Sequence, residues 1–154
     1  MKPPLPDVQA VIPHSNSMVL LDRLESYSNE SLSASVNLEK QTIFHDARGR
    51  LPSYVGLEYV LQAASAYAGM KRYLLGLTPL IGLFLGTRDC FVSRRYLPSN
   101  GRVLVSVSSV FSEEPIGVFD AKVTLGHEVY LEGRIKAIQP RDEKELARIL
   151  SNHP

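Results

Sequence analysis

Polar and apolar residues alternate over two early stretches, Met18–Tyr27 and Leu32–Leu38, joined by Ser28-Asn29-Glu30, and this spacing predicts two β-strands. The period then changes. From Ser53 or Tyr54 to about Leu75 helix formers run unbroken, with Ser53 placed as N-cap after Pro52 and Lys71-Arg72 in the last turns, where they suit the helix dipole. This predicted helix is apolar nearly all round and rich in small residues (Ala63, Ala64, Ala66, Ala68, Gly69), so other structure must wrap it. Four further strands are expected at Gly82–Val92, Arg102–Phe111, Gly117–Leu125 and Glu128–Ile138. Turns at Pro98-Ser99-Asn100-Gly101, Ser112–Ile116 and Gly126-His127 make the last strands an antiparallel meander. The order predicts an α+β fold in which one curved antiparallel sheet wraps a single long central helix. One domain is expected over 1–154, with a Pro-rich irregular arm at 1–12, a core at 12–138 and a tail at 139–154. Within that tail Arg141–Leu150 reads as a short charged helix or a frayed end. Exposed sheet edges invite a second copy, so a dimer is expected.

Composition narrows the function classes. At 154 residues, 44% hydrophobic and 21% charged, the chain has enough apolar content for one ordinary core. Seventeen basic residues against sixteen acidic ones leave a net charge of +1, which gives no global pull toward nucleic acid or an anionic membrane. Cys90 is the sole cysteine, so no internal disulfide or cysteine-based zinc site is available, and a reducing, cytoplasmic setting is expected. Neither Val55–Met70, broken by Glu58 and Gln62, nor Leu74–Leu85, broken by Gly76, Pro79 and Gly82, reads as a membrane span.

The helix carries the most informative polar residues. Glu58, Gln62 and Ser65 fall at i, i+4 and i+7 and share one side of an otherwise apolar cylinder. A lone carboxyl there is either paired and partly buried or lines a cavity, and burial holds such a group toward the protonated form that a proton donor requires. An acid near a helix N-terminus, favoured by the dipole and otherwise idle, accounts for the spacing equally well. His45 follows the apolar Thr42-Ile43-Phe44 and opens the loop that feeds the helix, and His14 in Ile12-Pro13-His14-Ser15 has similar standing. Either imidazole, taken alone, reads more readily as a backbone-bonded strand cap than as a catalytic group. His127 at a hairpin tip and His153 near the C-terminus read as exposed and inert. Without HExxH, GxSxG or metal-ligand spacing among the histidines, no metal site is expected.

Three segments together resemble bacterial 3-hydroxyacyl-[acyl carrier protein] dehydratases, including the divergent branch of the aryl-polyene pathways. They are IPHSNSMVLLDRL (12–24), FHDARGRLPSYVGLEYVLQAA (44–64) and LGTRDCFVSRRYLPSNGRVLVSVSSV (85–110), and the similarity spans about 12–138. The resemblance implies a hotdog fold and an active site shared across a dimer. It places His45 at the catalytic histidine, Glu58 at the catalytic acid from the opposite subunit, and Gln62 at the glutamine one turn on. Pro52 falls before the helix, and Ser53 falls at the residue whose N–H meets the thioester carbonyl. Two departures stand out: the His45–Pro52 interval is one residue short, and Ser53 replaces the usual glycine.

The implied reaction is dehydration of a 3-hydroxyacyl thioester on acyl carrier protein to the trans-2-enoyl thioester, in fatty-acid or polyene-type biosynthesis. It uses neither metal nor redox cofactor. Lys71, Arg72, Arg88, Arg94 and Arg95 are candidates for docking the acidic carrier protein. The alternatives are an acyl thioesterase on the same fold and a non-catalytic subunit in a heterodimer with a related dehydratase.

Overall fold

The computed structural model describes residues 4–113 and 115–152; His153 lies outside them. A six-stranded antiparallel sheet runs in the order β1-β2-β6-β7-β8-β4, from β1 (Arg23–Tyr27), β2 (Ser31–Asn37), β4 (Leu83–Val92), β6 (Arg102–Glu113), β7 (Ile116–Leu125) and β8 (Glu128–Ile138). A separate two-stranded ladder joins β3 (Leu51–Pro52) to β5 (Tyr96–Leu97). The long helix α1 (Val55–Tyr73) packs on β2, β6, β7 and β8, and α2 (Glu143–Ser151) closes the chain.

Alternation along the strands builds the core. Leu32, Ala34 and Val36 of β2 stand opposite Val107, Val105 and Val103 of β6, and the row continues through Ala121 and Val123 of β7. Phe119 and Ile135 extend it into β8. All of these side chains are buried, and α1 meets them with Tyr59, Val60, Ala63, Ala66 and Tyr67. Small residues let the helix lie close to the sheet: Gly56 sits where an added Cβ would already touch Leu131 and Val123 at 3.5 Å. At its C-terminus the helix ends on Gly76 at φ 75°, with the Leu77 N–H on the Arg72 carbonyl at 2.9 Å.

Three local expectations are corrected and one open alternative is resolved. The first strand begins at Arg23 rather than Met18, because Asn16–Met18 form a 3-10 turn and the Met18 and Leu20 backbones bond to a side chain of α1. Ser53 is not the N-cap: Tyr54 holds that position without a side-chain bond, and the Ser53 carbonyl instead accepts the Gly56 N–H. The arm expected to be irregular is structured from Val8, whose 3-10 turn Val8–Ala10 precedes a fully buried Val11 and Ile12. The tail is an ordered helix, capped where the Asp142 carboxylate accepts the Glu145 N–H at 2.8 Å.

β4 differs from the other strands. It is paired only to β8, is broken by two irregularities in register, and exposes Phe84, Leu85, Phe91 and Val92. Asp89, at φ 54°, sits in the second irregularity. No helix among the described residues is long and apolar enough to cross a membrane.

Candidate active site

A cleft of about 610 Å³ opens along the less buried side of α1. Glu58, Leu61, Ser65 and Ala68 form its helical wall, at helical spacing, and Leu75, Leu80, Ile81 and Phe84 supply apolar surface opposite. Pro13 and His14 enter from the N-terminal segment. The cleft is therefore greasy along its length, with a carboxyl and an imidazole together.

Glu58 is held on two sides. Its Oε1 accepts an N–H of Gln62 at 3.1 Å, and His14 Nε2 lies 3.8 Å from the same oxygen. The Glu58 side chain keeps 40% of its surface exposed and that of His14 28%, so both remain accessible from the cleft. The two options the sequence left for Glu58 are thus realised together, since it is paired and also lines a cavity.

Gln62 does not line the cleft. It is fully buried: its Oε1 accepts the Leu20 N–H at 2.9 Å, and its Nε2 donates to the Met18 carbonyl at 2.7 Å as well as to Glu58. Its amide thus ties the N-terminal segment, the helix and the carboxyl into one network.

His45 lies outside the cleft. The 3-10 turn Thr42–Phe44 ends on it, and its N–H donates to the Thr42 carbonyl at 3.1 Å. The turn is fixed to the helix through Gln41, whose Oε1 accepts the Tyr59 hydroxyl at 3.0 Å. Burial, reinforced by the charge of Asp22, pushes the Tyr59 phenol well above its ordinary value and keeps it a donor. Beyond His45 the loop is wound round Asp46, whose Oδ1 accepts the Arg48 and Arg50 N–H groups, each at 2.9 Å, while Oδ2 accepts Arg50 Nε at 2.9 Å. The Arg50 backbone bond leads the causes that hold the Asp46 carboxyl below its usual range. His45 is not among the residues lining the cleft, so one subunit does not bring it to Glu58 there.

Pro52 pairs with Tyr96 in the small ladder, and the Ser53 N–H donates to the Arg95 carbonyl at 2.9 Å. Its hydroxyl is buried. Among the described residues the buried side-chain nitrogens and oxygens lacking a partner are His14 Nδ1, His45 Nε2 and Ser53 Oγ.

The five basic candidates fall in separate places. Lys71 and Arg72 are on the cleft wall, with Lys71 over the Tyr67 ring at 4.8 Å and Arg72 donating to the Thr78 and Arg141 carbonyls. Arg94 bonds Glu128 at 2.5 Å and Arg95 stacks near Tyr96, in the turn before β5, while Arg88 stands on β4 opposite Arg134.

A curved antiparallel sheet around one central helix, with a carboxyl on that helix facing an apolar cleft, defines a hotdog-fold protein. The family model for ApeP-like dehydratases matches residues 6–148, and the chain belongs to that family, the aryl-polyene branch that the sequence resembles. In the solved dehydratase heterocomplex ApeI:P from Xenorhabdus doucetiae, a chain superposes with a TM-score of 0.85 at 21% identity, covering 95% of this chain and 98% of that one. A thioesterase mutant from Pseudomonas aeruginosa matches with a TM-score of 0.52 at 20% identity, over 75% of this chain and 78% of that one. A sigma28-regulated virulence protein of Campylobacter jejuni gives 0.61 at 13% identity, over 88% and 89%. At these identities the likenesses establish the fold. No curated protein matches the sequence.

Proposed function

We propose that the protein dehydrates a 3-hydroxyacyl thioester, carried on acyl carrier protein, to the trans-2-enoyl thioester in polyene-type biosynthesis in the cytoplasm. The observation that carries this reading is Glu58 oriented by Gln62 at one end of a long apolar cleft, which suits an acid working on the head of an acyl chain. Protonated Glu58 delivers its proton to the departing hydroxyl, and His45 of a second subunit removes the C2 proton. Ser53 positions the start of α1 rather than donating to the thioester carbonyl, since its N–H is engaged by the Arg95 carbonyl and its hydroxyl is buried. Pro52 sets the chain direction at that point.

The partner in this reading is a second hotdog subunit pairing along β4. A ten-residue edge exposing four large apolar side chains is the kind of surface that soluble proteins cover. The likeness to a dehydratase heterocomplex favours a related dehydratase as that subunit, with a second copy of this chain as the other outcome. Lys71 and Arg72 at the cleft, with Arg88, Arg94 and Arg95 on the β4–β5 side, serve the acidic carrier protein.

The test is product analysis of the purified protein, with any accompanying subunit, on a 3-hydroxyacyl carrier-protein thioester. Appearance of the conjugated enoyl thioester without release of free thiol supports the proposal. Free thiol without enoyl product would replace dehydration by hydrolysis, and no conversion would leave a structural subunit.

A further inference from the structure

The N-terminal segment is fastened to α1 on both sides of His14. Upstream, Val11 is fully buried and its carbonyl lies against Gly69 so closely that a Cβ there would stand 1.7 Å from the oxygen. Downstream, the Met18 carbonyl and the Leu20 N–H are both bonded to the buried Gln62 amide. Residues 12–17 therefore span two fixed points on the helix, and Pro13 stiffens the span directly before the imidazole. His14 Nε2 arrives 3.8 Å from Glu58 Oε1, on the oxygen that Gln62 also contacts.

We propose that His14 is a positioning residue for Glu58: the strap holds its Nε2 3.8 Å from Oε1, close enough to limit how far the carboxyl can turn. This rests on the dehydratase reading above and adds a second imidazole to it, from the same subunit as the acid. The other charged side chains of the cleft are engaged elsewhere: Lys71 by the Tyr67 ring, Arg72 by the Thr78 and Arg141 carbonyls, and Arg141 by Glu145. Nδ1 is buried without a partner, so Nε2 is the ring nitrogen that faces Glu58. A ring so placed reduces the carboxyl's freedom to turn away from a substrate, and misplacement near 1 Å costs roughly a hundredfold in rate.

Two measurements on the full chain, with any accompanying subunit, test this. In the first, turnover is compared among His14→Gln, which keeps an amide donor near the Nε2 position, His14→Leu, which keeps only volume, and His14→Ala. The expected result is kcat lowered about tenfold or more in the Leu and Ala variants with KM within about twofold, and recovery to within about threefold of wild type in the Gln variant. Wild-type kcat in His14→Ala, or equal rates for Leu and Gln, overturns the proposal. In the second, the ring nitrogens of 15N-labelled His14 are followed by NMR in wild type and Glu58→Gln; the Nε2 resonance is expected to move, and an unmoved one overturns the contact whether or not the protein turns over. Absence of turnover in wild type alongside a moved resonance sinks the proposed reaction and leaves the His14–Glu58 contact standing.

Discussion

The two imidazoles that flank α1 are mounted in opposite ways. His14 rides a strap sewn to the helix by buried, sequence-distant contacts, and it meets Glu58 within its own subunit. His45 sits at the end of a short 3-10 turn held by one Tyr59–Gln41 bond and by a loop wound on Asp46, and it does not line the cleft. The difference teaches which pairing one chain completes: Glu58, Gln62 and His14 meet inside it, whereas His45 stays outside the cleft with its Nε2 buried and unpartnered.

The contrast breaks most sharply at Gln62. Gln62→Leu keeps the volume but strands the buried Leu20 N–H, at about 1–3 kcal/mol, and removes the part-buried bond to the Met18 carbonyl. Chemical denaturation should show that loss, with activity falling alongside; a stability within 0.5 kcal/mol, roughly that of an ordinary surface change, would refute the strap as a structural unit. Gly69→Ala comes next. Helix propensity alone makes this change stabilising by roughly 0.5–1 kcal/mol, but the clash with the Val11 carbonyl reverses the sign to a loss of about 1–3 kcal/mol. A raised melting temperature would contradict the close approach.

On the other mount the effects are smaller. Tyr59→Phe removes the hydroxyl that holds Gln41 and should cost about 0.5–1.5 kcal/mol while lowering kcat through His45, leaving the His14 ring spectrum unchanged. A shifted His14 spectrum would mean that the two mounts are not independent. The smallest effect is the acid response of the Asp46 loop. Because the folded carboxyl is held below its unfolded value, its contribution is present above the unfolded value and is lost as pH falls through the folded one. Hydrogen exchange of the Arg48 and Arg50 amides should therefore accelerate, after correction for intrinsic rates, as pH drops below about 4, the ordinary Asp range. Asp46→Asn should weaken that dependence.

What the sequence disclosed and what it hid separate along the same line. The central helix and the β6–β7–β8 meander were legible because each is written in a local period, and Glu128–Ile138 was placed to the residue. Glu58 was legible because a lone carboxyl interrupts an apolar helix. The strap was not, because its defining bonds join residues 42 and 44 apart, beyond the reach of any local window. Gln62 was grouped with Glu58 and Ser65 by spacing, yet its amide turns to the strap while Leu61 takes the place on the cleft wall. The β3–β5 ladder escaped notice for a related reason: two residues carry no alternation, and its Pro52 reads as a breaker. A helical Gly69 opposite an apolar Val11-Ile12 before Pro-His was the available signal for the close approach that sets His14.

The most direct test of the account is the turnover of a 3-hydroxyacyl carrier-protein thioester by wild type, Glu58→Gln and His45→Ala, each purified with any accompanying subunit and checked for an unchanged melting temperature. The account predicts that wild type forms the enoyl product and that each variant loses about a hundredfold or more in kcat. Wild-type turnover in Glu58→Gln would contradict it.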